Sequence, residues 1–221
     1  MNERQSKILT AVIEEFIDTN NLVSSDFLFS EMGFNNVSTA TIRNDLFALE
    51  GEGYLKKQHI SSGRTPTVKG YDFFVQSILE NIKEPKDDKF NPENLEELFS
   101  YLSEKVHLPG ICGVLNKGEN FKTGLKFLSE YPEFKDSDYT FDFLELFENF
   151  ENYFNKFDEY FDDANKQFSV FIGDSKISKK FKPFSLISRV VGSKNGKVLM
   201  MFIGPYRMDY RSAIRNLLNF N

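Results

Sequence analysis

The stretch Val37-Ser38-Thr39-Ala40-Thr41-Ile42-Arg43-Asn44-Asp45-Leu46-Phe47-Ala48-Leu49 decides the reading of the N-terminal part of the chain. Ile42, Leu46 and Leu49 recur at i, i+4 and i+7, which predicts a helix with one buried stripe. Ser38 is placed to cap it, its hydroxyl accepting from a free backbone N–H. Gly51 and Gly53 break it. Asn44 then lies about 160° to 200° away from the stripe, with Arg43 and Thr41 toward the flanks.

Upstream, Ile8, Val12, Ile13, Phe16 and Ile17 have helical spacing, so residues 3–19 read as an amphipathic helix ended by Asn20-Asn21. Ser24 or Ser25 can cap a second, short helix that buries Phe27, Leu28 and Met32 and stops at Gly33. Downstream, Tyr54–Ile60 reads as a strand and Ser61-Ser62-Gly63 as a turn in which Gly63 takes positive φ. Arg64 is expected at the hairpin tip, and Thr65-Pro66-Thr67 returns the chain. Thr67 caps a fourth helix running to about Ile82, with Tyr71, Phe74, Val75, Ile78 and Leu79 as its apolar face. A helix able to enter a major groove, followed by a basic hairpin, is the layout of a winged helix-turn-helix that binds DNA.

The side chains suit that chemistry. Asn44 can pair bidentately with adenine and Arg43 with guanine. Ser38, Thr39 and Thr41 carry hydroxyls, and the threonines suit phosphates or the thymine methyl. Lys56, Lys57, His59, Ser62, Arg64 and Lys69 complete the expected DNA-binding set, with Arg64 reaching a minor groove or a phosphate. Bland alternatives stand beside these. Arg43 can be an exposed helix residue paired with Glu50 or Asp45, Arg64 a solvated loop cation, and His59 an ordinary surface histidine.

Composition restrains the reading. The net charge is −6, and residues 1–82 alone hold seven Lys/Arg against eleven Asp/Glu. A DNA contact therefore needs a local basic patch on an acidic body, with affinity that falls steeply with salt. The single cysteine, Cys112, forms no internal disulfide and fits a reducing cytoplasm. The N-terminus has no signal-like apolar stretch, and no apolar run approaches the roughly 20 residues of a membrane helix.

The chain resembles the heat-inducible transcription repressor HrcA family. The matching runs are Glu3-Arg4-Gln5 with Ile8-Leu9, Ala40–Asp45, Leu49-Glu50 with Gly53-Tyr54-Leu55, Ser62-Gly63-Arg64 with Pro66-Thr67, and Lys69-Gly70-Tyr71. A second match is Gly204-Pro205 followed by Arg207-Met208-Asp209-Tyr210. The resemblance implies a dimeric repressor on an inverted-repeat operator of the CIRCE type, upstream of chaperone genes, and dependence on the chaperonin GroEL. It also implies a GAF-like domain with an inserted dimerisation segment, reduced here because residues 85–167 are few for it. The expected place of work is the cytoplasm, at the nucleoid.

The expected organisation is α+β: a winged helix-turn-helix over residues 1–83, a polar linker over 84–94, and a reduced GAF-like domain over 95–221. In the last, Leu95, Leu98, Phe99 and Leu102 suggest a helix. Ile111–Leu115, Phe168–Ile172, Leu186–Val191 and Lys197–Ile203 suggest strands, the last two joined by a hairpin loop over Gly192–Gly196. Phe143, Phe147, Phe150, Phe154, Phe157 and Phe161 repeat at spacings of 4, 3, 4, 3 and 4, the a/d seam of one long amphipathic helix. Either these rings pack on the domain's own sheet or part of the seam forms the subunit interface. Asp209 is expected to start a terminal helix that packs inward through Ile214, Leu217 and Leu218.

An enzymatic reading has little support. Two histidines and one cysteine leave few residues for a metal site or a Cys-His nucleophile. Gly192–Gly196 joins two strands instead of opening a helix, so it is no phosphate-cradling loop. No catalytic residue, metal or cofactor is expected.

Overall fold

Asn2 starts the first helix, α1 (Glu3–Thr19), with a reciprocal cap: its side chain accepts from the backbone N–H of Gln5, and the Gln5 side chain accepts from the N–H of Asn2. Asn20 ends the helix in the left-handed region at φ 58°, a conformation asparagine adopts more readily than most residues. These are the ends expected from the sequence. The computed structural model describes residues 1–57, 63–82, 94–115, 120–164, 166–173, 177–193 and 196–219. It divides into two units, Met1–Ile82 and Lys83–Asn221.

In the first unit, Ser24 caps α2 (Ser25–Ser30) and Ser38 caps α3 (Thr39–Gly51), each hydroxyl accepting an N–H three residues on. The second helix stops at Ser30, before the expected Gly33. Ile42, Leu46 and Leu49 of α3 are fully buried with Ile8, Leu9, Val12 and Ile13 of α1. A short antiparallel ribbon follows: β1 (Leu55–Lys57) pairs with β2 (Arg64–Pro66), Lys57 opposite Arg64. Thr67 caps α4 (Val68–Leu79), which buries Tyr71, Phe74, Val75 and Ile78. Residues 58–62 lie outside the described residues.

Gly63 is needed for a different reason from the expected one. It is not among the glycines with positive φ. Instead, a Cβ on it would lie 2.7 Å from the carbonyl oxygen of Val23. The ribbon is held there by an antiparallel bridge in which Arg64 N–H donates to Val23 O at 2.9 Å and Val23 N–H donates to Arg64 O at 3.2 Å.

The second unit is built on a five-stranded antiparallel sheet in the order β4-β3-β7-β6-β5. Its strands are β3 (Gly110–Val114), β4 (Asn120–Thr123), β5 (Phe168–Ile172), β6 (Ser185–Ser193) and β7 (Gly196–Gly204). The helices are α5 (Leu95–Val106), α6 (Ser137–Glu148), α7 (Phe154–Ala164) and α8 (Tyr210–Leu218). Leu199, Met201 and Ile203 of β7 join the phenylalanine cluster. From the opposite face of the strand, Phe202 stacks on Phe99 of α5 at 5.3 Å between ring centres. Both faces of β7 are covered, which is why Val198–Ile203 is an unbroken apolar run. Asp209 caps α8, accepting from the N–H of Ser212, and Ile214, Leu217 and Leu218 pack inward as expected. Arg189 of β6 reaches that helix's far end, its Nη1 donating to Leu217 O at 3.1 Å and Leu218 O at 3.0 Å.

The expected long helix is corrected to three pieces. α6 ends at Glu148, a 3₁₀ turn covers Phe150–Tyr153, and α7 resumes at Phe154. A seam of period 3.5 drifts about 20° per heptad around a straight α-helix, and the break re-aims it. Of the two arrangements open for the seam, the structure has the rings packed on the domain's own sheet. Phe143, Phe147, Phe150, Phe154, Phe157 and Phe161 are all buried in this unit's own core, packed with Phe171, Phe181, Phe184 and Leu186. Phe150 meets Phe157 at 5.6 Å and Phe157 meets Phe171 at 5.9 Å. The rings are spent on the unit's own sheet.

Candidate nucleic-acid interface

The buried stripe of α3 fixes which residues face water. Ala40, Arg43, Asn44, Phe47 and Gly51 are all exposed, at the i, i+3, i+4, i+7 and i+11 positions of one helical face. Among the described residues, Arg43 and Asn44 have no hydrogen-bond or ion-pair partner.

The two acids of the helix are engaged elsewhere. Asp45, its side chain 6% exposed, pairs with Arg4 of α1 at 2.6 Å. Glu50 lies 3.4 Å from Nε of Arg64. The alternative in which Arg43 pairs with Asp45 or Glu50 is therefore not found. With both carboxylates matched by other cations, the outward face of α3 carries the uncompensated charge of Arg43.

The hydroxyls of Ser38 and Thr41 are 2.9 Å apart and hydrogen-bonded to each other, at the first turn of α3. Thr39 is half-buried beside them. Lys56 is exposed, and Lys57 places Nζ 5.9 Å from the ring centre of Phe47. Lys69 donates from Nζ to the carbonyl of Glu52 at 2.7 Å and lies over the Tyr54 ring at 4.2 Å, so it is tied to the end of α3. His59 and Ser62 lie outside the described residues.

Arg64 departs from expectation. It is not a tip cation: its side chain is 6% exposed. Its guanidinium carbon lies 4.9 Å from the Phe47 ring centre. Among the described residues, neither its Nε nor its Nη2 has a hydrogen-bond partner, and the facing Oε2 of Glu50 also has none. The pair is an electrostatic contact without hydrogen-bond geometry. The backbone bridge to Val23 draws Arg64 inward, where Phe47 and Glu50 receive it.

The expected site set omitted one residue on this face, Phe47, and one that supports α3 from beneath, Arg4. Phe47 is 52% exposed and lies under two of the ribbon's cations, Lys57 and Arg64. Its position three after Asn44 was the available signal. Arg4 carried no local signal, because its partner lies two helices away.

These features define a two-unit α+β protein whose first unit turns a polar helix face, flanked by ribbon cations, to solvent. Residues 72–214 match the family model described as the HrcA protein C terminal domain. The chain belongs to the HrcA family. It is 49% identical over 79 residues to the heat-inducible transcription repressor HrcA of Mycoplasma mycoides subsp. mycoides SC, a stretch covering 36% of this chain and 23% of that protein. It is 43% identical over 105 residues to the protein of the same name from Mesoplasma florum, covering 48% of this chain and 29% of that one. The matched stretches thus span less than a third of these relatives' lengths. A solved structure described as a hypothetical protein shares the fold, with a TM-score of 0.73 at 18% identity over 98% of this chain and 95% of that chain. Among the described residues, no cluster of His, Cys, Asp and Glu could hold a metal ion, and no helix is long and apolar enough to cross a membrane.

Proposed function

We propose that the protein is a DNA-binding transcriptional repressor of heat-shock and chaperone genes, acting in the cytoplasm at the nucleoid. On this reading the first unit is a winged helix-turn-helix, with α3 as the groove-entering helix and the β1–β2 ribbon as the wing. The second unit is a reduced GAF-like domain. The observation that carries the reading is the exposed face of α3. Arg43 and Asn44 stand without partners among the described residues, while Asp45 and Glu50 of the same helix are paired with Arg4 and Arg64. Such a face offers donors to guanine and adenine edges without bringing uncompensated carboxylates against phosphates.

Ser38, Thr39 and Thr41 at the helix start, with Lys56, Lys57 and Lys69, are assigned to the phosphate backbone. The relatives' shared name, heat-inducible transcription repressor, supports the regulatory role. A CIRCE-type inverted repeat has two half-sites, so the reading includes a homodimer. GroEL belongs to it as a modulator, tested by adding chaperonin to the binding assay.

The test is a mobility-shift titration of the full chain on the inverted repeat upstream of its own or a neighbouring chaperone gene, against a scrambled duplex of equal length. The expected result is preferential binding, two chains per duplex, with affinity falling steeply as salt rises. Equal affinity for the scrambled duplex would overturn the reading.

A further inference from the structure

We infer that Phe47 reads bases: its ring meets thymine C5-methyl groups in the major groove, between the contacts made by Arg43 and Asn44. The inference rests on the DNA-binding reading and adds to it an apolar component.

Position comes first. Phe47 follows Arg43 by four residues and Asn44 by three, so the three side chains share one face of α3. Exposure comes second. Ile42, Leu46 and Leu49 are wholly buried, whereas Phe47 is 52% exposed. It is the large apolar residue on a face that otherwise carries Ala40, Arg43, Asn44 and Gly51.

The ring is also held in place. Arg64 lies 4.9 Å and Lys57 5.9 Å from its centre, both from the ribbon. Cations over a ring face are attracted to it. A ring already restrained in this way loses little freedom when a ligand arrives.

The surroundings select the ligand. The ring is bordered by Lys57 and Arg64, Arg43 precedes it by one helical turn, and the two acids of the helix, Asp45 and Glu50, face Arg4 and Arg64. An apolar disc with a cationic border matches a polyanion that carries methyl groups. The major groove of duplex DNA has both, with phosphates along its edges and a methyl on each thymine. A purely apolar protein surface would match the ring and leave the cations unanswered.

The test compares wild type with Phe47→Ala on two duplexes: the inverted repeat, and the same repeat with deoxyuridine replacing every thymine. Deoxyuridine keeps the hydrogen-bonding edge and removes only the methyl. Wild type should lose about fourfold in affinity per contacted methyl, the transfer value of one buried carbon. Phe47→Ala should bind the thymine duplex more weakly and show a thymine-to-uracil ratio closer to one. Phe47→Gln, which keeps a long side chain beside Arg64, makes the same comparison if Phe47→Ala loses its fold on circular dichroism. An unchanged ratio in a folded variant would overturn the inference and leave the repressor reading standing. A wild-type protein that does not prefer the repeat to a scrambled duplex would overturn both.

Discussion

Arg4 of α1 grips Asp45 of α3 with two hydrogen bonds, Nε to Oδ2 at 2.6 Å and Nη2 to Oδ1 at 3.3 Å. The contact neutralises a nearly buried carboxylate and fixes the rotation of α3 about its own axis. The Arg4 guanidinium holds its proton more tightly than usual, first through the hydrogen bond to Asp45 and then through its charge. Whatever α3 presents to solvent is thus set from below by α1.

Arg4→Ala should lower the urea midpoint with little change in slope, because it strands the Asp45 carboxylate. Adding Asp45→Asn should recover part of the loss by removing the stranded charge. A double variant no more stable than Arg4→Ala would show that the pair matters through geometry instead of charge.

Arg64→Ala should act on stability before it acts on DNA. Its side chain is buried against Glu50 and Phe47, so removal should cost roughly 1–3 kcal/mol in urea unfolding. A tip cation touching phosphate would reduce the salt slope of binding by about one when removed. The buried Arg64 should leave that slope unchanged, which a titration across salt concentrations would check.

Arg43→Ala and Asn44→Ala should each weaken binding to the inverted repeat by roughly 1–3 kcal/mol, with unfolding midpoints near wild type, since neither has a partner among the described residues. Fluorescence anisotropy on labelled repeat and scrambled duplexes would separate the two. Equal losses on both duplexes would reassign these residues from bases to the phosphate backbone.

Phe157→Ala should cost roughly 3–5 kcal/mol, the usual range for a phenylalanine removed from a core, since Phe157 is fully buried among Phe150, Phe171 and Phe181. The mass in solution of protein that remains folded should not change. A stable variant with altered mass would return the seam to the subunit interface.

Cys112 should be inert in the native state. Burial pushes its thiol from an ordinary 9.0 up to about 12, with Glu96 adding to the effect. Alkylation at pH 8 should therefore proceed only as fast as the second unit opens. The raised value also gives a sign: the neutral thiol supports the fold fully below about pH 9, and that support is lost as pH rises toward 12. Cys112→Ala should flatten the alkaline fall in the unfolding midpoint.

Much of the first unit was legible because its signals are local. Asn20, Ser24, Ser38 and Thr67 mark helix ends by their own chemistry, and the stripes of α1 and α3 are set by period alone. The placement of Arg64 was not legible, because it depends on a backbone bridge from Val23 and on the ring of Phe47. The break after Glu148 was hidden for another reason. The ring spacing continues unaltered through Phe150 and Phe154, so periodicity cannot register a change from α to 3₁₀ and back. Strand β4, Asn120-Phe121-Lys122-Thr123, has half-exposed residues throughout and owes its form to pairing with β3. Of the candidate site, the polar residues were legible by type. Phe47 was passed over because it is apolar, although the helix phase set by Ile42, Leu46 and Leu49 already placed it on the face of Asn44.

The closeness of Gly63 to Val23 has a consequence for any attempt to move the site elsewhere. Val23 belongs to the connection between α1 and α2, so a side chain at Gly63 would press on the segment that joins those helices. Drift in one place would demand an answering change in the other. Grafting residues 38–57 onto a foreign scaffold would carry the amino acids but leave behind the anvil on which they are shaped.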